Sequence, residues 1–425
     1  MKTLTSIYVV ISLIGTLACG VTVAQEKSDP AKEWSSSIEA LLPVGERMAA
    51  QLVDPKDAQL RQELYRYEYS LISHAYFGLL YADPRHPDFW PVDNHAFNFA
   101  WPNPDDVYYV VPIDANGVYK VSGFRGTVRM VDFEISGGTM LTRGEGGLRG
   151  MGQAFANHDL DRDVHLRKDG SFEVVVSATQ PQGYKGDWWK LDARATNIFV
   201  RQIAYDPLHE VDGRFAIERL DRPAIAPRAS AAEIEANIKQ IPTWVESWTQ
   251  MAFDWMKRLR ATGVVNEIHH LRLGNIGGIE EQHYVEGLFD INADEALILE
   301  TEVPRQCRYW NFQLANELRS TPEYMHSQTS LNGHSARLDA DGKLRIVISA
   351  QDPGVPNWMD NRGYQRGVVY GRWHTCSSYP LPTLKKIKVA DAREYLPAAT
   401  PSVSAEQRDA AIRLRRKGDQ LRRRW

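Results

Sequence analysis

D-G-K-L-R-I-V-I-S-A, residues Asp341–Ala350, reads as a β-strand entered through an Asp-Gly turn, and the chain contains it nearly twice. Asp169–Ala178 reads D-G-S-F-E-V-V-V-S-A. Upstream of each copy lies a second match, R-M-V-D-F-E-I (Arg129–Ile135) against R-Y-W-N-F-Q-L (Arg308–Leu314). Downstream, Trp189 is followed twelve residues later by Arg201, and Trp358 fourteen later by Arg372. Matches in the same order over such a length mark two related structural units rather than short solenoid repeats. The expected fold class is therefore mainly β with helical segments (α+β), built on two β-sandwich domains. One large sheet whose strands merely look alike is the competing reading, because β-sequences share composition.

The flanking segments set the domain plan. Residues 1–24 carry one Lys, an apolar run from Ile7 to Ala18 and small residues before Gln25, which is the pattern of a cleavable secretory signal. The run falls short of the roughly twenty residues a membrane span needs, and no later stretch approaches that length. Cys19 leaves a lipoprotein alternative, although Thr16-Leu17-Ala18 fits a lipobox poorly. Residues 25–106 should form a helical hairpin and an ordered connector. In the hairpin Ile38, Leu41, Leu42, Gly45, Met48 and Leu52, and then Leu60, Leu64, Tyr67 and Leu71, recur at helical spacing. The first sandwich is expected over 107–229, a helical connector with a Ser230/Glu233 capping box over 230–262, the second sandwich over 263–396, and a basic helix over 397–425. His74, amid apolar neighbours, reads as a satisfied core residue.

Composition excludes some functions. With 50 Lys and Arg against 54 Asp and Glu the net charge is −4, which becomes −5 once a leader containing only Lys2 is removed. That balance argues against a nucleic-acid partner. Export would leave Cys307 and Cys376, an even pair that invites a disulfide in an oxidising compartment. Two buried thiols fit equally well, and both readings stay open. No H-E-x-x-H, Gly-x-Ser-x-Gly or P-loop signature is present; the Gly-rich run from Gly137 to Gly152 lacks a G-K-[ST] ending. No metal site and no cofactor are expected.

Strand parity points to a site. Trp310, Phe312 and Leu314 share one face of their strand, while Asn311 and Gln313 share the other; Asp132 and Glu134 hold the matching places in the first copy. Each domain thus presents a polar pair about 7 Å apart along the strand on its non-core face. Two carboxylates so placed could divide acid and base roles, and a solvated sheet face is the plainer reading. Catalytic candidates are His334, Asp352, Asp132 and Glu134. Substrate-binding candidates are Arg308, Asn311, Gln313, Asn332, Asn357, Trp358 and Arg372, on strands and on the Pro- and Gly-fixed loops that carry recognition on rigid sandwiches. Arg129 and Arg201 read as structural arginines, whereas Arg308 and Arg372 could serve either structure or a ligand. Asn103, Asp105, Asp106, Tyr108 and Tyr109 could line a polar pocket or form ordinary turns. A small polar or glycan-like ligand is the expected partner, turned over by an enzyme or held by a binding or envelope-associated protein.

R-Y-W-N-F-Q-L, S-L-N-G-H (Ser330–His334), V-I-S-A-Q-D-P-G-V-P-N-W (Val347–Trp358) and G-R-W (Gly371–Trp373) resemble the bacterial domain-of-unknown-function family numbered 1214. N-P-D-D-V-Y-Y near Asn103 is similar to an element of its companion family numbered 1254. The resemblance implies jelly-roll-like sandwiches and homo-oligomers, and it supplies no catalytic residues.

Overall fold

The computed structural model describes residues 29–138, 153–271, 273, 278–279 and 281–422. The expected leader, residues 139–152 of the Gly-rich run, and Arg423 and Arg424 lie outside the described residues.

Three helices open the described chain: α1 (Pro30–Leu41), α2 (Val44–Ala49) and α3 (Ala58–Ala75). Asp29 caps α1 by accepting from the Ala31 and Lys32 amides, and Asp57 caps α3 by accepting from Leu60. The expected two-helix hairpin is corrected here, because the first helix breaks at Leu42-Pro43. A proline has no N–H to continue the ladder. The break turns Leu42 outward, so it is exposed, whereas Met48 and Leu52 stay buried. Nine strands follow: β1 (Trp90–Pro91), β2 (Asp106–Pro112), β3 (Val118–Phe124), β4 (Met130–Gly137), β5 (Gln153–Asp159), β6 (Ser171–Ser177), β7 (Asp187–Lys190), β8 (Ala195–Ile203) and β9 (Arg214–Arg219). The long helix α4 (Ala231–Ala261) begins at the anticipated Ser230/Glu233 capping box. Nine more strands complete the β structure: β10 (His269–Leu271), β11 (Gln282–Asp290), β12 (Glu295–Glu302), β13 (Cys307–Ala315), β14 (Ser330–Asn332), β15 (Lys343–Ser349), β16 (Trp358–Asp360), β17 (Arg366–Cys376) and β18 (Thr383–Lys388). Helix α5 (Ala405–Leu421) closes the chain.

The strand orders are the same in both halves. The first half pairs as β1-β2-β8-β4-β5 and β7-β6-β3-β9, the second as β10-β11-β17-β13-β14 and β16-β15-β12-β18. Even the single parallel pair recurs, β6 with β7 and β15 with β16. Register corrects one detail of the repeat. Val175 faces Trp188 as Val347 faces Trp358, so Trp188, not Trp189, is the counterpart of Trp358. Both indoles donate to the serine that ends the repeat strand, Ser177 or Ser349.

Each sandwich closes on its own core. Val131, Phe133 and Val200 of the first inner sheet meet Tyr119, Val121, Phe172 and Val174 of the outer one. Phe312, Leu314 and Trp373 meet Leu297, Leu299, Ile346 and Ile348 in the second. Gly371 lies opposite Phe312, and a Cβ there would come within 2.5 Å of its ring, which explains the glycine of G-R-W. Cys307 and Cys376, paired in register across β13 and β17, form a disulfide.

Helix α4 does more than connect. Its middle packs with α1–α3 through Trp244, Val245, Trp248 and Met251. Trp255, Met256 and Leu259 then cover the far face of the second inner sheet at Tyr284, Leu288, Val368 and Tyr370. Among the described residues no helix is long and apolar enough to cross a membrane. Helix α5 is held by arginines, since Leu414 and Leu421 are exposed. Arg408 pairs with Asp352, Arg415 donates to the Tyr324 and Ser330 carbonyls, and Arg422 reaches Asp212 and the carbonyls of Asp105 and Gln202. The helix therefore straps both sandwiches. A terminal run of charges is ordinarily a solvated face, but Arg422 is buried within its own chain.

Candidate functional site

The polar pairs expected on a non-core face are not solvated. Asn311 and Gln313 are 0 % exposed, and Asp132 and Glu134 are equally closed off. The connector Trp101–Asp106 explains why, because it lies against the second inner sheet and hydrogen-bonds to it. Asn311 Nδ2 donates to Asn103 Oδ1 at 2.7 Å, and Gln313 Nε2 donates to the Pro102 carbonyl and to Thr321 Oγ1. The Tyr309 hydroxyl donates to Asp105 Oδ2 at 2.8 Å, and Asn332 Nδ2 donates to Asp105 Oδ1. The amide nitrogens are thereby committed to the connector, and the amide oxygens turn the other way.

Those oxygens meet Arg372. Its Nη1 donates to Asn311 Oδ1 at 3.2 Å and to Gln313 Oε1 at 2.5 Å. In the first half Arg201 takes the same place, opposite Asp132 in register as Arg372 is opposite Asn311. Arg201 Nη1 lies 2.9 Å from Glu134 Oε2 and 3.6 Å from Asp132 Oδ1. The tyrosines on the next strand correspond as well, Tyr108 facing Arg201 and Tyr284 facing Arg372. One repeat surrounds its arginine with carboxylates and the other with neutral carboxamides. Arg372, 4 % exposed, has no ion-pair partner among the described residues. A guanidinium so desolvated is costly without an anion.

Both arginines line a cavity of about 310 Å³, within the usual range for small-molecule sites. Glu134, Asp106, Tyr108 and Tyr284 share its sheet wall, and His74 of α3, Trp244 and Trp248 of α4, Trp90 of β1 and Phe99 just before the connector form an aromatic wall. Burial pushes the carboxyls of Asp106 and Asp132 up to about 7, against the opposing pull of Arg201. Asp93, also on the wall, is raised well above the carboxylate range by burial. Burial opposes the charge of Arg201, but Glu134, Tyr284 and Asp132 outweigh it and hold the guanidinium firmly protonated. Among the described residues no cluster of three His, Cys, Asp or Glu is placed to hold a metal ion.

The other candidates scatter. Arg308 ties the sandwiches together by pairing with Asp159 and Asp161, while Arg129 Nε donates to the Arg308 carbonyl. Asn332 belongs to the connector's anchorage rather than to the cavity wall. His334 is exposed at the seam, 3.6 Å from Asp206. Asp352 is engaged by Arg408; Asn357 donates to the carbonyls of Arg337 and Arg345; Trp358 donates to Ser349. These last three hold the outer part of the second sandwich. Of the connector cluster, Asn103, Asp106 and Tyr108 reach the cavity wall, while Tyr109 packs on the first core. Sequence reading missed His74, Trp90, Trp244, Trp248, Tyr284 and Arg319 as wall residues. Tyr284 alone had a usable signal, its place in the repeat opposite Tyr108.

Residues 290–373 match the family described as "Protein of unknown function (DUF1214)". That segment includes Arg308, Asn311, Gln313 and Arg372. A crystallised, uncharacterized protein from Burkholderia cenocepacia is similar over most of the fold. It shares 27 % identity with a TM-score of 0.77, over 85 % of this chain and 98 % of that one. The VPA0106 protein from Vibrio parahaemolyticus aligns at 13 % identity and a TM-score of 0.45, over 76 % of this chain and 98 % of that one. No curated protein matches the chain.

Proposed function

We propose that this protein acts outside the cytoplasm and takes up a small organic molecule in the cavity between its sandwiches, binding an anionic or strongly polar group of it at Arg372. The observation that carries this reading is the contrast within the repeat. Arg201 is paired with Glu134 and Asp132, whereas among the described residues Arg372 meets the neutral Asn311 and Gln313 oxygens and no ion-pair partner. A bidentate fork on a carboxylate or similar group would supply the missing charge. The aromatic wall suits the flat apolar face of a sugar ring or of another small ring system, so glycan-like ligands stay within the class. The leader-like residues 1–24 and the Cys307–Cys376 disulfide support the compartment. The test is a thermal-shift screen of envelope sugars and small organic acids on the purified protein, repeated on Arg372→Met. Hits that raise the wild-type melting temperature and leave the variant unmoved are expected. Hits that act equally on both would overturn the assignment.

Turnover is a second reading, favoured by Asp106, a cavity-wall carboxyl held near 7 where a general acid or base works best. It requires that a hit be converted with a pH profile inflecting near 7 and that Asp106→Asn abolish the conversion. Binding without conversion leaves the protein a non-catalytic binder.

A further inference from the structure

The aromatic wall of the cavity carries a set of hydrogen-bond donors that have, among the described residues, nothing to donate to. Among the described residues His74 Nε2, Trp90 Nε1 and Trp248 Nε1 are buried and without a partner. All three residues line the cavity, and each is at least nine-tenths buried. The two indole nitrogens can only donate. The tautomer of His74 follows from its neighbour. Trp244 Nε1 lies 3.1 Å from His74 Nδ1 and must be the donor, so the neutral ring carries its proton on Nε2. Burial keeps that ring neutral down to about pH 3. The three rings are adjacent, with centroids 5.0 Å apart for His74 and Trp90 and 5.9 Å for His74 and Trp248. Arg319, 0 % exposed, adds a cation to the same lining. It is stacked 3.0 Å over the Trp101 ring and lies beside the Tyr370 hydroxyl, with no ion-pair partner among the described residues. Against these donors the wall offers, among the described residues, one unpartnered acceptor, Gln282 Oε1.

Buried polar groups in a folded protein are nearly always satisfied, and several unmet donors along one wall mark the place of an acceptor. Resting on the reading that Arg372 holds an anionic head, we infer that the ligand carries a second hydrogen-bond acceptor, remote from that head, which docks on His74, Trp90 and Trp248. The class is a carboxylate with an apolar body and a distal carboxylate or carbonyl oxygen: a dicarboxylate or an oxo acid. An apolar tail would leave the three donors unmet and bury them further. A cationic tail would be set against those three donors and the Arg319 charge.

The experiment is calorimetric titration of the intact protein with two matched series, linear α,ω-dicarboxylates from succinate to azelate and the monocarboxylates of equal chain length. At one preferred length the dicarboxylate should bind at least tenfold more tightly than its monocarboxylate partner. Trp248→Phe and Trp90→Phe keep the rings and remove the donors; each should erase most of that ratio. In case a variant folds poorly, the indole N–H resonances of the ¹⁵N-labelled wild type provide a second reading. Those of Trp90 and Trp248 should move with the dicarboxylate and stay in place with the monocarboxylate. Monocarboxylates that bind through Arg372 with no dicarboxylate preference would overturn the second acceptor and leave the Arg372 reading standing. A preference that survives both Trp variants, with unmoved indole resonances, would also overturn it. No binding in either series would overturn the second acceptor; binding indifferent to Arg372→Met would overturn both.

Discussion

Arg372 lies opposite Asn311 across β17 and β13, its Nη1 3.2 Å from the amide oxygen, in the register that places Arg201 opposite Asp132 in the first half. The same backbone position thus carries a compensated charge in one repeat and an uncompensated one in the other. The two arginines should respond in opposite ways to removal. Arg201→Met strands Asp132 and Glu134 as buried, unpaired carboxylates and should cost about 3–5 kcal/mol. Arg372→Met removes a buried charge with no ion-pair partner among the described residues but leaves Asn311 Oδ1 and Gln313 Oε1 without that donor, so the two effects offset and stability should change by less than for Arg201→Met, by about 1 kcal/mol. Guanidinium denaturation of both variants against wild type checks the contrast; equal losses would refute it.

The disulfide gives a redox prediction. Reduction, or Cys307→Ser with Cys376→Ser, should lower stability by about 2–4 kcal/mol, the usual effect of releasing such a cross-link. Denaturation midpoints with and without reductant measure it. Thiol labelling of the mature, oxidised, denatured protein should find neither cysteine.

Glu68 supplies a pH dependence. Burial and then Glu246 push its carboxyl from 4.5 up to about 7, and among the described residues its Oε1 has no hydrogen-bond partner. The folded chain therefore keeps a proton that the unfolded chain releases, so this group's contribution is intact below about pH 4.5 and is lost as pH rises through about 7. Glu68→Gln cannot ionise. Its melting temperature relative to wild type should climb between pH 5 and pH 8 and level off above that; a constant difference would contradict the assignment.

His74 has the opposite sign. Burial lowers its pKa from 6.5 to about 3, so the unfolded chain takes up the proton first and stability falls as pH drops from 6.5 towards 3. His74→Phe should cost about 1–3 kcal/mol near pH 7.5, because Trp244 Nε1 loses its acceptor. That deficit should narrow at pH 4.5, which thermal unfolding at the two values would show.

Local sequence carries more of the fold than of the site. The Ser230/Glu233 capping box, the Asp-Gly entries of the repeat strands and the alternation of Trp310, Phe312 and Leu314 are all short-range signals, and the structure forms each of them. Proline at 43 broke a helix whose apolar spacing alone read as continuous, because periodicity says nothing of a missing N–H. The off-by-one pairing of Trp189 with Trp358 arose for a related reason. Neighbouring tryptophans are indistinguishable by composition, and only the strand register selects Trp188.

What the sequence by itself determined is which residues share a face: Asp132 with Glu134, Asn311 with Gln313, each turned from its own core. That follows from the period-two geometry of a strand, which is a property of adjacent residues. What only the tertiary structure decided is that these faces are buried, that the 101–106 connector turns the carboxamide oxygens toward Arg372, and that α3 and α4 bring His74, Trp244 and Trp248 to the same cavity. Strand periodicity distinguishes one side from the other but cannot say what packs on the second side. That depends on segments hundreds of residues apart, whose contacts exist only once both sandwiches, the connector and the helices have docked.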